Sequence, residues 1–430
     1  VQRILQNPVD HAQILHPDEP RTIGMVILTW REGVRWKEYP VSVKDLPYVV
    51  GYLQGHKDVY ISQNRFFARL RRIATLGQLD AMWADLDYYR NPELAGLHPL
   101  KVLELALERL RGEGIPEPSF AVFTGRGLVL VWLHYPVPRA ALPRWNACQQ
   151  RLYEVLKDFG ADRLARDAAR VLRLIGTMNS KTGVLVEALT PAEDPWPFDR
   201  LADAILPLTR AEIRDLRVAR ALRGKTLVRP PQLYTEATLW EARLADLQKL
   251  LWLRWFGRLP PGQRDAWLFI AGVAMSWLCI PEVLLRELFA LAYQVADWDE
   301  KETRTRLHAV IKRAHMAARG ETVEWMGQRI DPRYRFTNET IIEWLQITPE
   351  EQEQLSVIKD ERGQRELARL RKEKSRRKAG ALPREEYLAQ AEMRRQEVLR
   401  LRQEGMSIRQ IAEKIGLSKS QVHRILSGKN

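Results

Sequence analysis

The chain is poor in cysteine. It has two in 430 residues, Cys148 and Cys279, far apart and with no Cys-x-x-Cys pair. Neither a disulfide framework nor a cysteine-rich zinc site can be built from them within one chain, and a reducing cytoplasm is the expected compartment. Long hydrophobic runs are missing as well. The longest, Ala266 to Ile280, has fifteen residues bounded by Arg264-Asp265 and Pro281. It is short for a membrane span and reads as a buried helix, so no membrane role is expected. Val1 to Asp10 lacks the basic start, apolar run and small-residue cleavage site of a secretion signal, and with no Met at the front the start reads as trimmed or fragmentary. No His-hydrophobic-His pair occurs among the eight histidines, which removes the metal pair a rolling-circle nuclease or relaxase needs beside its tyrosine. Gly224-Lys225-Thr226 ends like a phosphate-binding loop, but Ala219 stands where the first glycine is required and no apolar strand precedes it. An ATP-driven helicase is therefore not encoded, and any helicase is expected to be a separate partner.

What is present is positive charge. The formal net charge is +14, and residues Glu361 to Asn430 hold 19 Lys or Arg against 9 Asp or Glu, a balance of +10 in the last 70 positions. An excess concentrated at one end points to a polyanionic partner, although a solvated basic helix would carry the same signature.

The length argues for two or three units. Up to about Leu206, short strand-like stretches (Thr22 to Thr29, Val59 to Ser62, Met82 to Tyr88, Ser119 to Thr124, Leu128 to His134) interleave with helix-like spacings at Phe66 to Leu79, Pro99 to Arg111 and Arg144 to Phe159. An α+β class follows. The expected organisation is a catalytic core at 1–206, a basic linker at 207–234, an all-α domain at 235–347, a long charged helical connector at 348–404 and a helix-turn-helix at 405–430.

Three stretches carry chemistry. In Met82-Trp83-Ala84-Asp85-Leu86-Asp87-Tyr88, alternate strand residues share a face, so Asp85 and Asp87 project together. Paired carboxylates repel unless a cation lies between them, and a divalent metal supplies one; a strand end turning into a polar loop is the plainer alternative. Thr124-Gly125-Arg126-Gly127 lies between two strand patterns, where two glycines allow a tight turn and Arg126 a cation at its tip. This suits a triphosphate, and an ordinary hairpin would look the same. Asp162 to Lys181 is both basic and apolar. If Val171 to Ile175 is buried, Arg170 and Arg173 are held rigidly; Asp167 could complete a three-carboxylate metal site, with the arginines and Lys181 on phosphates. An Arg–Asp network that only ties down a helix competes with this reading.

Taken in order, these stretches resemble the archaeo-eukaryotic primase superfamily, in particular the primases and replication proteins of plasmids and other mobile elements. The resemblance spans about Asp58 to Glu187. It matches Asp85 and Asp87 to the first metal motif, Thr124, Gly125, Arg126 and Gly127 to a Ser/Thr-Gly-Arg-Gly segment, and Asp167, Arg170, Arg173, Gly176, Thr177, Asn179 and Lys181 to a later Asp followed by R-x-x-R-L-x-G-T-x-N-x-K. Two positions depart: Val129 stands where many members carry a nucleotide-contacting histidine, and Ile175 where plasmid members usually have proline. The resemblance implies a primase-type α/β core that joins NTPs or dNTPs on a single-stranded DNA template with two Mg²⁺ or Mn²⁺ ions at Asp85, Asp87 and Asp167, Asp162 being the alternative third ligand. The rival expectation is a non-catalytic replication initiator or DNA-binding regulator. Pro261-Gly262-Gln263-Arg264-Asp265, opening an apolar helix, resembles the start of the small helical domain that follows many such cores.

Met406 to Leu426 has a short apolar helix, a glycine turn and Ser418 as N-cap of a second helix. Ile408, Ile411, Ile415, Leu417, Val422, Ile425 and Leu426 are its expected core. Ser418, Lys419, Ser420, Gln421 and Arg424 are then presented for duplex DNA, as on a recognition helix, the alternative being a protein-interaction use of the same fold.

Overall fold

The computed structural model describes residues 3–18, 24–33, 35–190, 194–209, 211–213, 215, 236–325, 327–378, 380 and 384–427. Most of the expected basic linker, including Gly224-Lys225-Thr226, lies outside the described residues. The chain forms two compact units, Val1–Lys359 and Asp360–Asn430. Among the described residues no helix is long and apolar enough to cross a membrane.

The first unit is built on a ten-stranded sheet in which every pairing is antiparallel. Its strands are β1 (Arg3–Leu5), β2 (Met25–Glu32), β3 (Arg35–Ser42), β4 (Tyr60–Ser62), β5 (Arg65–Phe66), β6 (Leu76–Leu86), β7 (Phe120–Phe123), β8 (Leu128–Pro138) and β9 (Val171–Arg173), joined by Glu187–Thr190, which becomes β12 after the small β10–β11 hairpin (Met178–Asn179, Val184–Leu185). The order is β1-β12-β7-β8-β6-β5-β2-β4-β9, with β3 along the other edge of β2. At its centre β6 and β8, eleven residues each, pair from Gln78 to Leu86 with a register shift between Leu79 and Ala81, and nearly every side chain of β6 is buried. A strand covered on both faces reads as a continuous apolar run, which is why Ala81 to Ala84 shows no alternation. The Leu142–Leu156 helix presents Leu142, Trp145, Cys148, Gln149, Leu152, Val155 and Leu156 to this sheet at three- and four-residue steps. Trp145 Nε1 donates to Ala81 O at 2.8 Å and Gln149 Oε1 accepts from Trp83 N at 3.1 Å, so polar contacts as well as packing hold the helix to β6.

The expected helix at Phe66 to Leu79 is not one. Phe66 ends β5, Ile73–Thr75 is a single 3₁₀ turn, and Leu76 already begins β6. The helical spacing is overridden because Arg65 and Asp80, both fully buried, form an ion pair of 3.0 Å between β5 and β6, and because β6 pairs along β8. Local propensity is weak beside a buried sheet pairing.

The helices from Glu236 to Gln354 belong to the same compact unit as the sheet, and a two-stranded hairpin, Val323–Trp325 with Gln328–Ile330, interrupts them. Glu287 accepts from Ile73 N at 2.8 Å, Arg139 pairs with Glu241 at 3.0 Å, and Asn146 Nδ2 donates to Leu278 O at 2.9 Å, three polar ties between helices and core. The far end is pinned by Asp246, whose buried carboxylate accepts from Ser356 N, Val357 N and Ile358 N at 2.7, 2.7 and 2.8 Å. Replacing Asp246 with Ala leaves three N–H groups without an acceptor, that of Ile358 buried and those of Ser356 and Val357 partly so. We expect a loss of about 3–5 kcal/mol, read as a lower urea midpoint for the first unit.

The second unit contains the helices Glu361–Lys378, Arg384–Gln403, Ile408–Ile415 and Lys419–Leu426. The charged connector is thus not one helix: Thr348 and Glu351 form a capping box for a short Pro349–Gln354 helix, and a new helix begins at Glu361.

Candidate active site

The carboxylates of the first motif stand where β6 ends. Asp85 is its penultimate residue and Asp87 lies just past Leu86. The chain returns here at 160–162: Leu86 forms an antiparallel bridge with Ala161, Asp87 N donates to Gly160 O at 2.9 Å, and Asp162 N donates to Asp85 O at 2.7 Å. Gly160 makes this approach possible, since it has φ +77° and a Cβ there would lie 2.8 Å from Asp87 O. Burial pushes the Asp85 carboxyl up to about 7, and the neighbouring charges of Asp87 and then Asp162 add to it, while Arg170 and Arg90 pull weakly the other way. Negative charge here is under-compensated. Among the described residues, however, no three His, Cys, Asp or Glu side chains converge tightly enough to hold a metal ion by themselves.

The Thr124-Gly125-Arg126-Gly127 turn closes on itself, with Thr124 Oγ1 accepting from Gly127 N at 2.9 Å. Gly127 has no side chain because a Cβ would meet Leu86 O at 2.9 Å, which brings the turn against the carboxylate strand. Gly125, at φ +82°, has Thr182 Oγ1 where a Cβ would stand, 2.6 Å away, so the turn also lies against the β10–β11 hairpin. Exposed Arg126 stacks over Tyr89 at 4.0 Å, next to Asp87 and its partner Arg90. Val129, where the resemblance leads one to expect a histidine, is buried and sits opposite Asp85 in the β6–β8 register.

The third stretch divides between two places. Asn179 is buried; its Nδ2 donates to Thr124 O at 2.6 Å and its Oδ1 accepts from Lys181 N at 3.1 Å, joining the second and third motifs and leaving Lys181 exposed beside them. Arg173 is paired with Asp58 at 2.8 Å and lies 4.9 Å over Tyr60; Asp58 also accepts from Ser180 N at 3.2 Å and from Ser180 Oγ. Burial alone would raise the Asp58 carboxyl, but the bonds from Ser180 and Arg173 outweigh it and hold it below the usual range. Arg173 therefore positions the Ser180-Lys181 loop. Asp167 is buried in another cluster, 3.1 Å from Arg170 and 3.5 Å from Arg286, and lines a cavity of about 190 Å³ with Arg166, Trp277 and Cys279. Arg170 lies between this cluster and Asp85, whose acidity it affects.

Sequence reasoning missed Glu287, Arg286 and Tyr60. Glu287 is buried, which raises its carboxyl, with the nearby charge of Asp167 adding to the effect. The signal available was a Glu on the apolar stripe of Val283, Leu284, Leu288 and Leu291, a position that needs a partner.

In the second unit Val398, Leu401, Ile411, Ala412 and Val422 form the buried core. Ser407 and Ser418 both cap their helices in capping boxes with Gln410 and Gln421, and Gly416 takes φ +73° at the turn. Ser418, Lys419, Ser420, Gln421 and Arg424 are all exposed. Gln421 Oε1 also accepts from Ser418 N at 2.9 Å, so part of its bonding capacity is used inside the helix start.

A homeodomain-like domain model matches residues 389–428. Among solved structures, the chain is similar to the primase-polymerase domain of cyanophage S-2L (17% identity, 46% of this chain and 97% of that one, TM-score 0.33) and to the catalytic domain of primase RepB' in complex with initiator DNA (15% identity, 51% and 97%, TM-score 0.30). Along the sequence it is 30% identical over 356 residues to a replication protein of Clostridium perfringens, covering 82% of this chain and 79% of the relative. With that extent of shared sequence, the chain belongs to the family of this replication protein.

Proposed function

We propose that the chain is a template-dependent nucleotidyltransferase, a DNA primase or primase-polymerase of the archaeo-eukaryotic type serving a plasmid or other mobile replicon. The observation that supports this most is the under-compensated carboxyl of Asp85, held at about 7 beside Asp87 and Asp162 and faced by a turn and a loop that offer Arg126 and Lys181. Its membership in a replication-protein family accords with the same reading. The excess of negative charge fits a divalent cation. Mg²⁺ or Mn²⁺ at Asp85 and Asp87, with Asp162 or Asp167 as third carboxylate, would supply charge stabilisation to the attacking and leaving oxygens of phosphoryl transfer. The position of Asp162 against Asp85 favours Asp162 for that role.

In this reading Arg126 and Lys181 hold the phosphates of an incoming NTP or dNTP, and Asn179 keeps their two loops in register. Arg170 balances charge between Asp85 and Asp167, and Arg173 acts through Asp58 on the loop of Ser180 and Lys181. The exposed residues Lys419, Ser420 and Arg424 bring duplex DNA to the protein, with phosphate contacts positioning and base contacts selecting. Val129 favours the rival reading of a non-catalytic initiator, because an apolar side chain faces Asp85 where a nucleotide contact is expected.

Primer synthesis on single-stranded DNA with labelled nucleotides and Mn²⁺ or Mg²⁺ tests this directly. Metal-dependent products are expected from the wild type and none from a double Asp85→Ala, Asp87→Ala variant that still binds duplex DNA. If neither protein makes products while both bind DNA, the catalytic reading is withdrawn and the initiator reading stands.

A further inference from the structure

One face of the sheet carries a groove that the proposed chemistry does not use. In the β2–β3 register Trp36 stands opposite Arg31 and Glu38 opposite Thr29; Thr29 is opposite Tyr60 of β4, and Tyr60 opposite Arg173 of β9. Directly paired residues project on one side, so Trp36, Thr29 and Tyr60 line a single surface. Together with Arg71, Arg72 and Arg170 they border an open groove of about 570 Å³. Trp36 is 52% exposed. Its ring meets Tyr60 edge-on at 5.4 Å and Arg31 lies 5.7 Å from it, which leaves indole surface open to solvent at the rim. An indole of this size left in water on a strand is unfavourable unless something covers it.

The floor is cationic. Glu38 is shared by Arg71 at 2.9 Å and Arg72 at 3.3 Å, while Arg170, the third arginine on the groove, pairs with Asp167 at 3.1 Å, so three arginines stand against two carboxylates. The Nε groups of Arg71 and Arg170 are buried without an acceptor among the described residues. At its inner end the groove meets Arg173, which lies 4.9 Å over Tyr60 and is paired with Asp58 at 2.8 Å. The chain of Arg173, Asp58 and Ser180 separates it from the loop of Lys181.

We propose that this groove seats the single-stranded template, with an unpaired base stacked on Trp36 and its backbone phosphates on Arg72 and Arg170. An aromatic platform beside arginines suits a single strand because every base has a π-face and every linkage a charge. The assignment rests on the primase reading for the identity of the strand as template, whereas the binding itself stands independently.

Anisotropy of a labelled oligo(dT), with excess unlabelled duplex to occupy the C-terminal unit, reads the groove in the full chain. Trp36→Ala is expected to weaken binding about tenfold and Arg72→Gln several-fold, with Trp36→Phe close to wild type. Trp36 is exposed, so these variants are expected to fold, and an unchanged urea midpoint for the first unit checks it. Unchanged oligo(dT) affinity in both Trp36→Ala and Arg72→Gln overturns the proposal. So does a loss confined to labelled dNTP binding, which would make the groove a nucleotide site. If the wild type makes no primers yet Trp36→Ala still loses oligo(dT), the groove assignment holds and the primase reading fails.

Discussion

Asp85→Asn is expected to abolish metal-dependent synthesis, by about 10³-fold or more, and at the same time to make the metal-free protein more stable. The two effects have one cause. Burial and the charges of Asp87 and Asp162 lift the Asp85 carboxyl from its ordinary 3.8 to about 7. The folded state thus binds this proton more tightly than the unfolded chain does. Below about pH 4 the group is protonated in both states and carries no penalty. As pH rises from about 4 to 7, ionisation is resisted only in the folded state, so the Asp85 contribution to the stability of the metal-free protein becomes unfavourable across that window and stays so above it. The full linkage is about 4 kcal/mol, and partial solvent access reduces it to roughly 2 kcal/mol. Asparagine carries no charge to repel, so the variant should melt roughly 3–5 °C higher at pH 8 and show no such dependence between pH 4 and 7. Scanning calorimetry of wild type and variant in chelator, and again with Mn²⁺, reads both. A variant less stable than wild type at pH 8 in chelator, or a stability difference between variant and wild type that does not widen from pH 4 to 7, would show that Asp85 is not the strained group described.

Gly160→Ala is expected to cost about 3 kcal/mol and to lower synthesis about 100-fold, although no carboxylate is changed. A Cβ at this position meets the carbonyl carbon and oxygen of Asp87 at 2.9 and 2.8 Å and the amide of Tyr88 at 3.1 Å, all backbone, and the φ of +77° is itself unfavourable for alanine. The 160–162 segment must move, and with it Asp162 relative to Asp85. Gly114→Ala separates strain from displacement: Gly114 has φ +70° with nothing within 4 Å of a Cβ. It should cost only about 1 kcal/mol and leave synthesis unchanged. Equal losses of activity in the two variants would mean that the approach at Gly160 does not govern the site.

Much of the site was legible in the sequence because its signals are local. Asp85 and Asp87 stand two apart at the end of a strand-like run, although β6 stops at Leu86 and Asp87 opens the turn that follows, and two glycines between strand patterns mark the turn at 124–127. The HTH-like end was legible for the same reason: Ser418 caps the last helix as its spacing predicts, and Ile411 and Val422 are buried as expected. Val398 and Leu401, which complete that core, belong to the preceding helix and were not foreseen.

The sequence by itself determined which side chains could carry chemistry, where the strands β4, β7 and β8 and the second half of β6 lie, and that the charge gathers at the C-terminal end. Only the tertiary structure decided how those side chains are shared out. Asp162 and Asp167 are five residues apart in one basic stretch, and no spacing separates them. Backbone pairing of 160–162 with the end of β6 brings Asp162 to Asp85, while Arg170 and Arg286 hold Asp167 in a second cluster. Arg173 has the composition of a phosphate ligand, but the sheet sets Asp58 against it. Phe66 to Leu79 has the spacing of a helix, yet the buried pairing of β6 with β8 and the Arg65–Asp80 ion pair outweigh a preference of a few tenths of a kcal/mol per residue. The groove at Trp36 was invisible for a like reason: its walls come from β2, β3, β4 and the loops at 71–72 and 170, and only long-range pairing brings them together.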